Sequence, residues 1–398
     1  MKVKGLGIVT MVCCFCLVLA WLAFAQAAGK APYKIGVNLE LTGPWAEVTK
    51  TVKQAMTMEV DLINARGGVD GHPLELVIED NGFDQGRAAA IMNKFSRDKN
   101  ILAVVGPFED PLQATTRAIA EREGITNIII CPSNPTVRGL KQRWSFNIAQ
   151  SDIVVSQKLV DLCLARKYKT VLVFPGNWPL ALSLANYFKK FGEEKGIKVI
   201  VSAETHAPSD IDMTPQLIKL KPIIEKEKVD CLYACTGGPP GPIIVKNMRA
   251  LGMKTPVIGT HAFGFGFIIA LGGAAMEGVE FAAGKPVVPD QLDNADPIRP
   301  IVVDFDKRMQ ARYKVGADQI AGHAHDATWL VYDALKRCSG KVTRGAFRDA
   351  LEATKGFKAC HGIYNYSPQD HDGLSKEDMV FIRIEGGKFK RITFAGTR

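Results

Sequence analysis

Residues 33–66, YKIGVNLELTGPWAEVTKTVKQAMTMEVDLINAR, decide the fold. Lys34 to Leu39 reads as a buried strand, Gly43-Pro44 as a turn, and Thr51 to Ala65 as an amphipathic helix. Val52, Ala55, Met56, Val60 and Ile63 recur at helical spacing, so they share one face. A strand that turns directly into such a helix is the first half of a βαβ unit, and it predicts a parallel sheet.

The rhythm continues downstream. Strands are expected at Leu74 to Asp80, Leu102 to Val105 and Ile125 to Cys131, with helices at Gln85 to Asp98 and Leu112 to Glu123. It then restarts with a helix at Ile153 to Arg166, a strand at Thr170 to Phe174 and a helix from Leu180 to Lys195, ended by Gly196. Lys198 to Thr205 is the next strand, followed by a helix over Met213 to Glu227 that Pro222 interrupts. Cys231 to Cys235, Gly241 to Leu251 and Val257 to Gly259 complete the alternation. The remainder predicts helices at Ile301 to Tyr313, Asp318 to Lys336 and Gly345 to Thr354, then a hairpin of Met379 to Glu385 and Lys388 to Phe394. These last elements hold too few strands for a third sheet and must pack on the first two units. The expected fold class is α/β, with two Rossmann-like lobes of parallel sheet joined by a hinge of several strands.

Ahead of this unit, residues 1–27 read as an export signal. Lys2 and Lys4 precede the apolar Ile8 to Phe24, and Ala25-Gln26-Ala27 is a small-x-small cleavage site. A retained membrane anchor is the alternative, but an apolar stretch of about 17 residues only reaches the lower limit for a spanning helix. Removal of the signal loses two lysines and no acid, lowering the formal charge from +9 to +7. Basic residues are interleaved with acids along the chain, which argues for a solvated surface and against a nucleic-acid stripe. A composition of 47% apolar and 23% charged residues fits a globular protein. Six cysteines remain, among which Cys231 and Cys235 read as buried thiols and Cys338 and Cys360 as the best disulfide candidate. No His, Cys and acid spacing resembles a zinc site, and Gly237-Gly238-Pro239-Pro240-Gly241 lacks the G-K-[ST] ending of a phosphate loop. No metal and no cofactor is expected.

Ligands of open parallel sheets bind beyond the carboxyl ends of the strands. That rule selects Thr42 to Trp45, Gly106 to Asp110 and Pro132-Ser133-Asn134 in the first unit, and Pro175 to Pro179, Thr236-Gly237-Gly238 and Thr260-His261 in the second.

At these positions the chain resembles the periplasmic leucine/isoleucine/valine-binding proteins of ABC importers, with the type I periplasmic binding protein fold. The resemblance is carried by Tyr33 to Val37 with Thr42-Gly43-Pro44, Asp61 to Val69 with Gly71, and Val104-Val105-Gly106-Pro107. Ala120 to Ile125 leading to Pro132-Ser133, and Asp326-Ala327, extend it through nearly the whole mature chain. It implies a two-lobed receptor that closes on a small molecule and presents it to a membrane permease. Family members hold an amino acid's carboxylate with Ser and Thr hydroxyls and backbone amides of lobe 1, and its ammonium with acidic and aromatic groups, chiefly of lobe 2. This chain departs from that pattern: Glu109, Asp110 and Pro111 stand where serines are usual, Ser133-Asn134-Pro135 shortens the Ser-Ala-Thr stretch, and His261 aligns with the lobe 2 glutamate. Trp178 preserves the aromatic.

The resulting ligand-binding candidates are Trp45, Phe108, Glu109, Ser133, Asn134, Trp178, Thr236, Gly237 and His261. Each has a structural alternative. Trp45 and Trp178 could sandwich a ligand or cap their own lobes; Ser133 and Asn134 could donate to a carboxylate or amide oxygen or simply form a turn. Glu109 and Asp110 could accept from a ligand or cap the following helix, capping being the better reading for Asp110. His261 could meet a ligand or fill a strand end, while His323 and His325 point to different faces of one helix and His323 is a candidate for reaching the cleft. Expected domains are a signal at 1–27, lobe 1 at 32–147 plus 285–371, and lobe 2 at 148–284 plus 372–398. The function so implied is a periplasmic, monomeric solute-binding protein without enzymatic activity, whose partners are a small-molecule ligand and an ABC permease. A ligand-sensing module is the alternative reading, and an exported enzyme a remote one.

Overall fold

The computed structural model describes residues 30–131, 142–338 and 341–394. The first sheet is five-stranded and built from β1 (Tyr33–Leu39), β2 (Leu74–Asp80), β3 (Ile101–Val105), β4 (Thr126–Ile129) and β5 (Ser145–Asn147), in the order β2-β1-β3-β4-β5. All its pairings are parallel. Helices α1 (Ala46–Ala65), α2 (Gln85–Arg97) and α3 (Asp110–Glu123) make the crossovers. Helix α1 starts five residues earlier than its apolar face predicts, because the Gly43 turn, at φ +88°, accepts from the Ala46 amide and admits the helix at once.

After β5 the chain enters α4 (Asp152–Ala165), β6 (Thr170–Pro175), α5 (Pro179–Glu194), β7 (Lys198–Val201), α6 (Thr214–Lys226), β8 (Cys231–Cys235), α7 (Pro240–Ala250) and β9 (Val257–Gly259). The short α8 (Ile268–Gly272) and β10 (Glu280–Gly284) follow. Strand β7 ends at Val201 rather than Thr205, since the Ser202 hydroxyl accepts from the Glu204 amide and turns the chain. Pro222 does not interrupt α6: it lies on the exposed face, where the carbonyl it leaves unpaired meets water.

The chain then returns to the first lobe. Helices α9 (Arg299–Tyr313), α10 (Gln319–Arg337) and α11 (Arg344–Glu352) are tied there by buried polar contacts. The fully buried Glu59 of α1 accepts from Trp329 Nε1 at 2.7 Å and pairs with Arg308. From α11, Arg344 donates to the carbonyls of Phe95, Ser96, Asp98 and Ile101, closing the carboxyl end of α2. A two-stranded sheet of β11 (Phe357–Lys358) and β12 (Ile363–Tyr364) corrects the expectation that no third sheet forms; it needs only two residues per strand. The hairpin β13 (Met379–Glu385) and β14 (Lys388–Ile392) then joins the second sheet, whose order is β14-β13-β10-β9-β8-β6-β7. There β10 is nailed by Glu280, which accepts from Arg166 and from Arg383 Nε, the latter at 2.8 Å.

The chain therefore passes between the sheets three times, after β5, after β10 and after β12. Tyr364 and Tyr366 donate to the carbonyls of Ile148 and Asn147 at 2.7 and 3.0 Å, which bundles two of these passages. All six described cysteines are free, which corrects the Cys338–Cys360 pairing. The Cys338 thiol meets the Ala334 carbonyl of its own helix, and Cys360 is buried beside Asp326. Among the described residues no helix is long and apolar enough to cross a membrane.

Candidate functional site

The carboxyl ends of β1 and β3 face those of β6, β8 and β9 across a cavity of about 120 Å³. Trp45, Phe108, Glu109, Trp178, Gly237 and His261 all lie on its wall, joined by Phe83, Cys131 and Phe265, which sequence reasoning missed. A wider recess of about 460 Å³ shares Trp45, Phe83, Pro208 and Pro239 with it and leads outward. A larger recess of about 560 Å³ runs along α1 and Gly264 to Phe267, sharing Phe265 with the cavity and Glu47, Val48 and Phe267 with the outer recess.

On the first-lobe wall the loop after β3 is held rigidly. Gly106 has φ +92°, and a Cβ there would lie 2.2 Å from the Asn38 carbonyl oxygen, so only glycine lets β3 turn here. Asn127 donates to the Gly106 carbonyl and Gln113 to that of Phe108, both at 2.6 Å. The next two amides, of Phe108 and Glu109, donate at 3.1 Å to the two oxygens of Glu40. Glu40 leaves β1 fully buried, and burial pushes its carboxyl up despite those amides. Sequence reasoning missed it, although a carboxylate at the end of a parallel strand was a legible signal.

Glu109 is the residue before the first turn of α3, but its side chain makes no capping bond; Asp110 supplies the acid inside that turn. Among the described residues no donor reaches the Glu109 carboxyl. Burial, then the neighbouring Asp110 and Glu40 carboxylates, push it well above the usual carboxylate range. Trp45 packs on Phe108 with ring centroids 5.5 Å apart. Its tip crosses to the second lobe at Gly238, where φ is +65° and a Cβ would stand 2.8 Å from the indole.

The second-lobe wall is apolar and neutral. The Trp178 ring lies over Gly176 and packs T-shaped against the buried His206, with 5.3 Å between centroids. His261 opens a single 3₁₀ turn whose preceding residue, Thr260, donates to the Thr236 carbonyl at 2.6 Å. Burial and the nearby His361 depress His261 to about 4, so at neutral pH it is an uncharged imidazole. Its Nδ1 has no partner among the described residues. Thr236 does not reach the wall: its hydroxyl turns back to the Gly237 carbonyl at 3.3 Å. Ser133 and Asn134 lie outside the described residues, as does the signal segment.

His323 does not reach the cavity. Its Nε2 lies 3.2 Å from Gln150 Oε1, and its ring packs on His361. His325, on the other face of α10, joins Asp326 and Cys360 in a buried group compact enough to hold a metal ion. The oxygens of Asp326 are, however, spent on the amides of Cys360 and His361, the rings of His325 and His361, and the Tyr364 hydroxyl. This is the arrangement of a structural hub.

Comparison with known proteins agrees with the architecture. The family model described as periplasmic binding protein matches residues 32–388. A Leu/Ile/Val-binding protein homolog 3 of Brucella melitensis is 24% identical over 372 residues, covering 93% of this chain and 95% of the relative. An extracellular ligand-binding receptor from Rhodopseudomonas palustris superposes with a TM-score of 0.81 at 21% identity, covering 92% of this chain and all of that one. The branched-chain amino acid transporter substrate binding protein LivJ from Streptococcus pneumoniae, solved with isoleucine, gives 0.77 at 22% identity, covering 91% and 99%.

Proposed function

The chain belongs to the periplasmic binding protein family, whose members bind solutes outside the cytoplasm rather than transform them, and on that premise we propose that it is the solute receptor of an ABC importer. Its solute is an amino acid or a related small carboxylate or amide with an apolar or aromatic body. The observation that carries this reading is the cavity between the two sheets, with aromatic walls from both lobes and Trp45 seated on Gly238 of the opposite one. The relatives named for leucine, isoleucine and valine support an amino-acid-like solute. Trp45, Phe108, Glu109, Trp178, Gly237 and His261 would contact it, and Ser133 and Asn134 are further proposed contacts. Thr236 would act from behind, by shaping the Gly237 turn.

Lobe 1 then comprises residues 32–147 plus 285–371 and lobe 2 residues 148–284 plus 372–398. The membership of β5 and β10 in different sheets, and the return of β13 to the second, support these boundaries. The receptor acts as a monomer in the periplasm after loss of residues 1–27, and delivers its solute to a membrane permease. A ligand shifts the open and closed forms only by its difference in affinity for them. Native mass spectrometry of the purified protein, with calorimetry against amino acids, aromatic acids, amides and short branched acids, tests the reading. A bound solute is expected; no binding across the panel would refute it.

A further inference from the structure

We propose that the solute presents a nitrogen donor, an ammonium or a primary amide, to the first-lobe wall and carries no carboxylate there, with Glu109 as the specificity-determining acceptor and Glu40 as a positioning residue. The inference rests on the solute-receptor reading and narrows it.

The start of a helix such as α3 is where backbone N–H groups would hold an anion. Here the two amides that enter it are already used: Phe108 and Glu109 donate to Glu40, at 3.1 Å each. A ligand carboxylate would have to displace a buried side chain to reach them. Among the described residues, the carboxyl left on that wall is that of Glu109, which has no donor there and has Asp110 beside it. Among the described residues lining the cavity there is no lysine or arginine, and the histidine, His261, is uncharged at neutral pH. A carboxylate placed here would therefore face Glu109 with no lysine or arginine beside it among the described lining residues. A nitrogen donor instead supplies what Glu109 lacks, and the faces of Trp45 and Trp178 suit a flat body or a cation. The unpartnered Nδ1 of His261 gives a second polar contact from the opposite lobe. Beyond the inner cavity, the recess reached past Phe83 and Pro208 gives the rest of the molecule a way out.

The test is calorimetry, with tryptophan fluorescence, on the full mature chain against phenethylamine, phenylacetamide, phenylacetate, phenylalanine and leucine. Amine or amide is expected to bind at least a hundredfold tighter than the matched carboxylate. Glu109→Gln should weaken the amine tenfold or more and the amide only a few-fold, because a glutamine oxygen still accepts from a neutral donor. An affinity for the amine that rises with pH marks the ammonium, since Glu109 must lose its proton to pair with it; a flat profile for the amide marks the amide. Tight binding of phenylacetate, phenylalanine or leucine, unaffected by Glu109→Gln, overturns the proposal and leaves the receptor reading intact. No binding by any of the five, with no co-purified solute, counts against both. The wild-type panel decides the matter even if the variant fails to fold.

Discussion

Asp326 and Glu109 are both carboxyl groups drawn away from water, and the protein treats them in opposite ways. Asp326 stands in α10 beside the chain passages and accepts from the amides of Cys360 and His361 at 2.7 and 2.9 Å, from Tyr364 at 2.9 Å, and from two histidine rings. Burial alone would raise it, but the hydrogen bonds and charge of His325 and His361 hold it well below the usual carboxylate range. Glu109 stands at the cavity with no donor among the described residues, and there burial prevails and raises it. The supply of donors among the described residues separates a carboxylate that holds the fold from the one proposed to meet a ligand.

The largest expected effect comes from breaking the satisfied end of that pair. Asp326→Ala strands two amides and the paired histidines in a dry interior, at a cost of about 3–5 kcal/mol. Urea denaturation at pH 7 measures it, and a loss below about 1 kcal/mol would mean that the hub is not structural. Because its folded value is depressed, the stability Asp326 contributes is fully present above its unfolded value of 3.8 and is lost as pH falls through the folded one.

A second acid sharpens the contrast. Asp152, in the first turn of α4 just past a passage between the lobes, is pushed up to about 7 by burial, which outweighs the opposing Ser183 hydroxyl, with Asp372 adding the smallest effect. Its folded value exceeds its unfolded one, so the stability it contributes is present below 3.8 and lost as pH rises through 7. Asp152→Asn is therefore expected to stabilise the protein at pH 8 by up to about 4 kcal/mol and to give no such gain at pH 4. Thermal melts at the two pH values test this; an equal shift at both would break the reading.

Glu40→Gln probes the junction between fold and site. One of the two amides that it holds would lose its acceptor, for an expected cost of about 1–3 kcal/mol in chemical denaturation. An unchanged midpoint would show that the loop after β3 does not depend on this carboxylate.

Most of the fold was legible because the strands of the βα units are short runs rich in apolar and β-branched residues and each crossover helix keeps one apolar face. What escaped were the elements without such a signature. Strand β5 is three residues, Ser145 to Asn147, and β10 begins with a buried glutamate that reads as surface until Arg166 and Arg383 are seen to neutralise it. The strand-end rule located the cavity but not the direction of each side chain, which is why it chose Thr236, whose hydroxyl folds back, and passed over Glu40. His323 was misplaced for the same reason: helical spacing gives its face, but only packing shows that Gln150 and His361 occupy it. The Cys338 and Cys360 pairing failed because the order of cysteines in a sequence says nothing about distance.

The smallest effect on stability should reveal most about closure. Gly238 adopts φ +65° with the tip of Trp45 against it, so Gly238→Ala adds backbone strain of about 1 kcal/mol together with a methyl that the indole must avoid. The strain alone would lower stability slightly and leave affinity unchanged. The clash acts only when the lobes are together, since Trp45 belongs to one and Gly238 to the other. Ligand affinity is therefore expected to fall by more than the melting shift explains, about tenfold for each 1.4 kcal/mol of closed-state penalty. Calorimetry with the solute identified by native mass spectrometry, set beside the melting curve, separates the two. If affinity and stability fall in step, the contact of Trp45 with Gly238 is incidental to closure, and the cavity is held by its two walls independently.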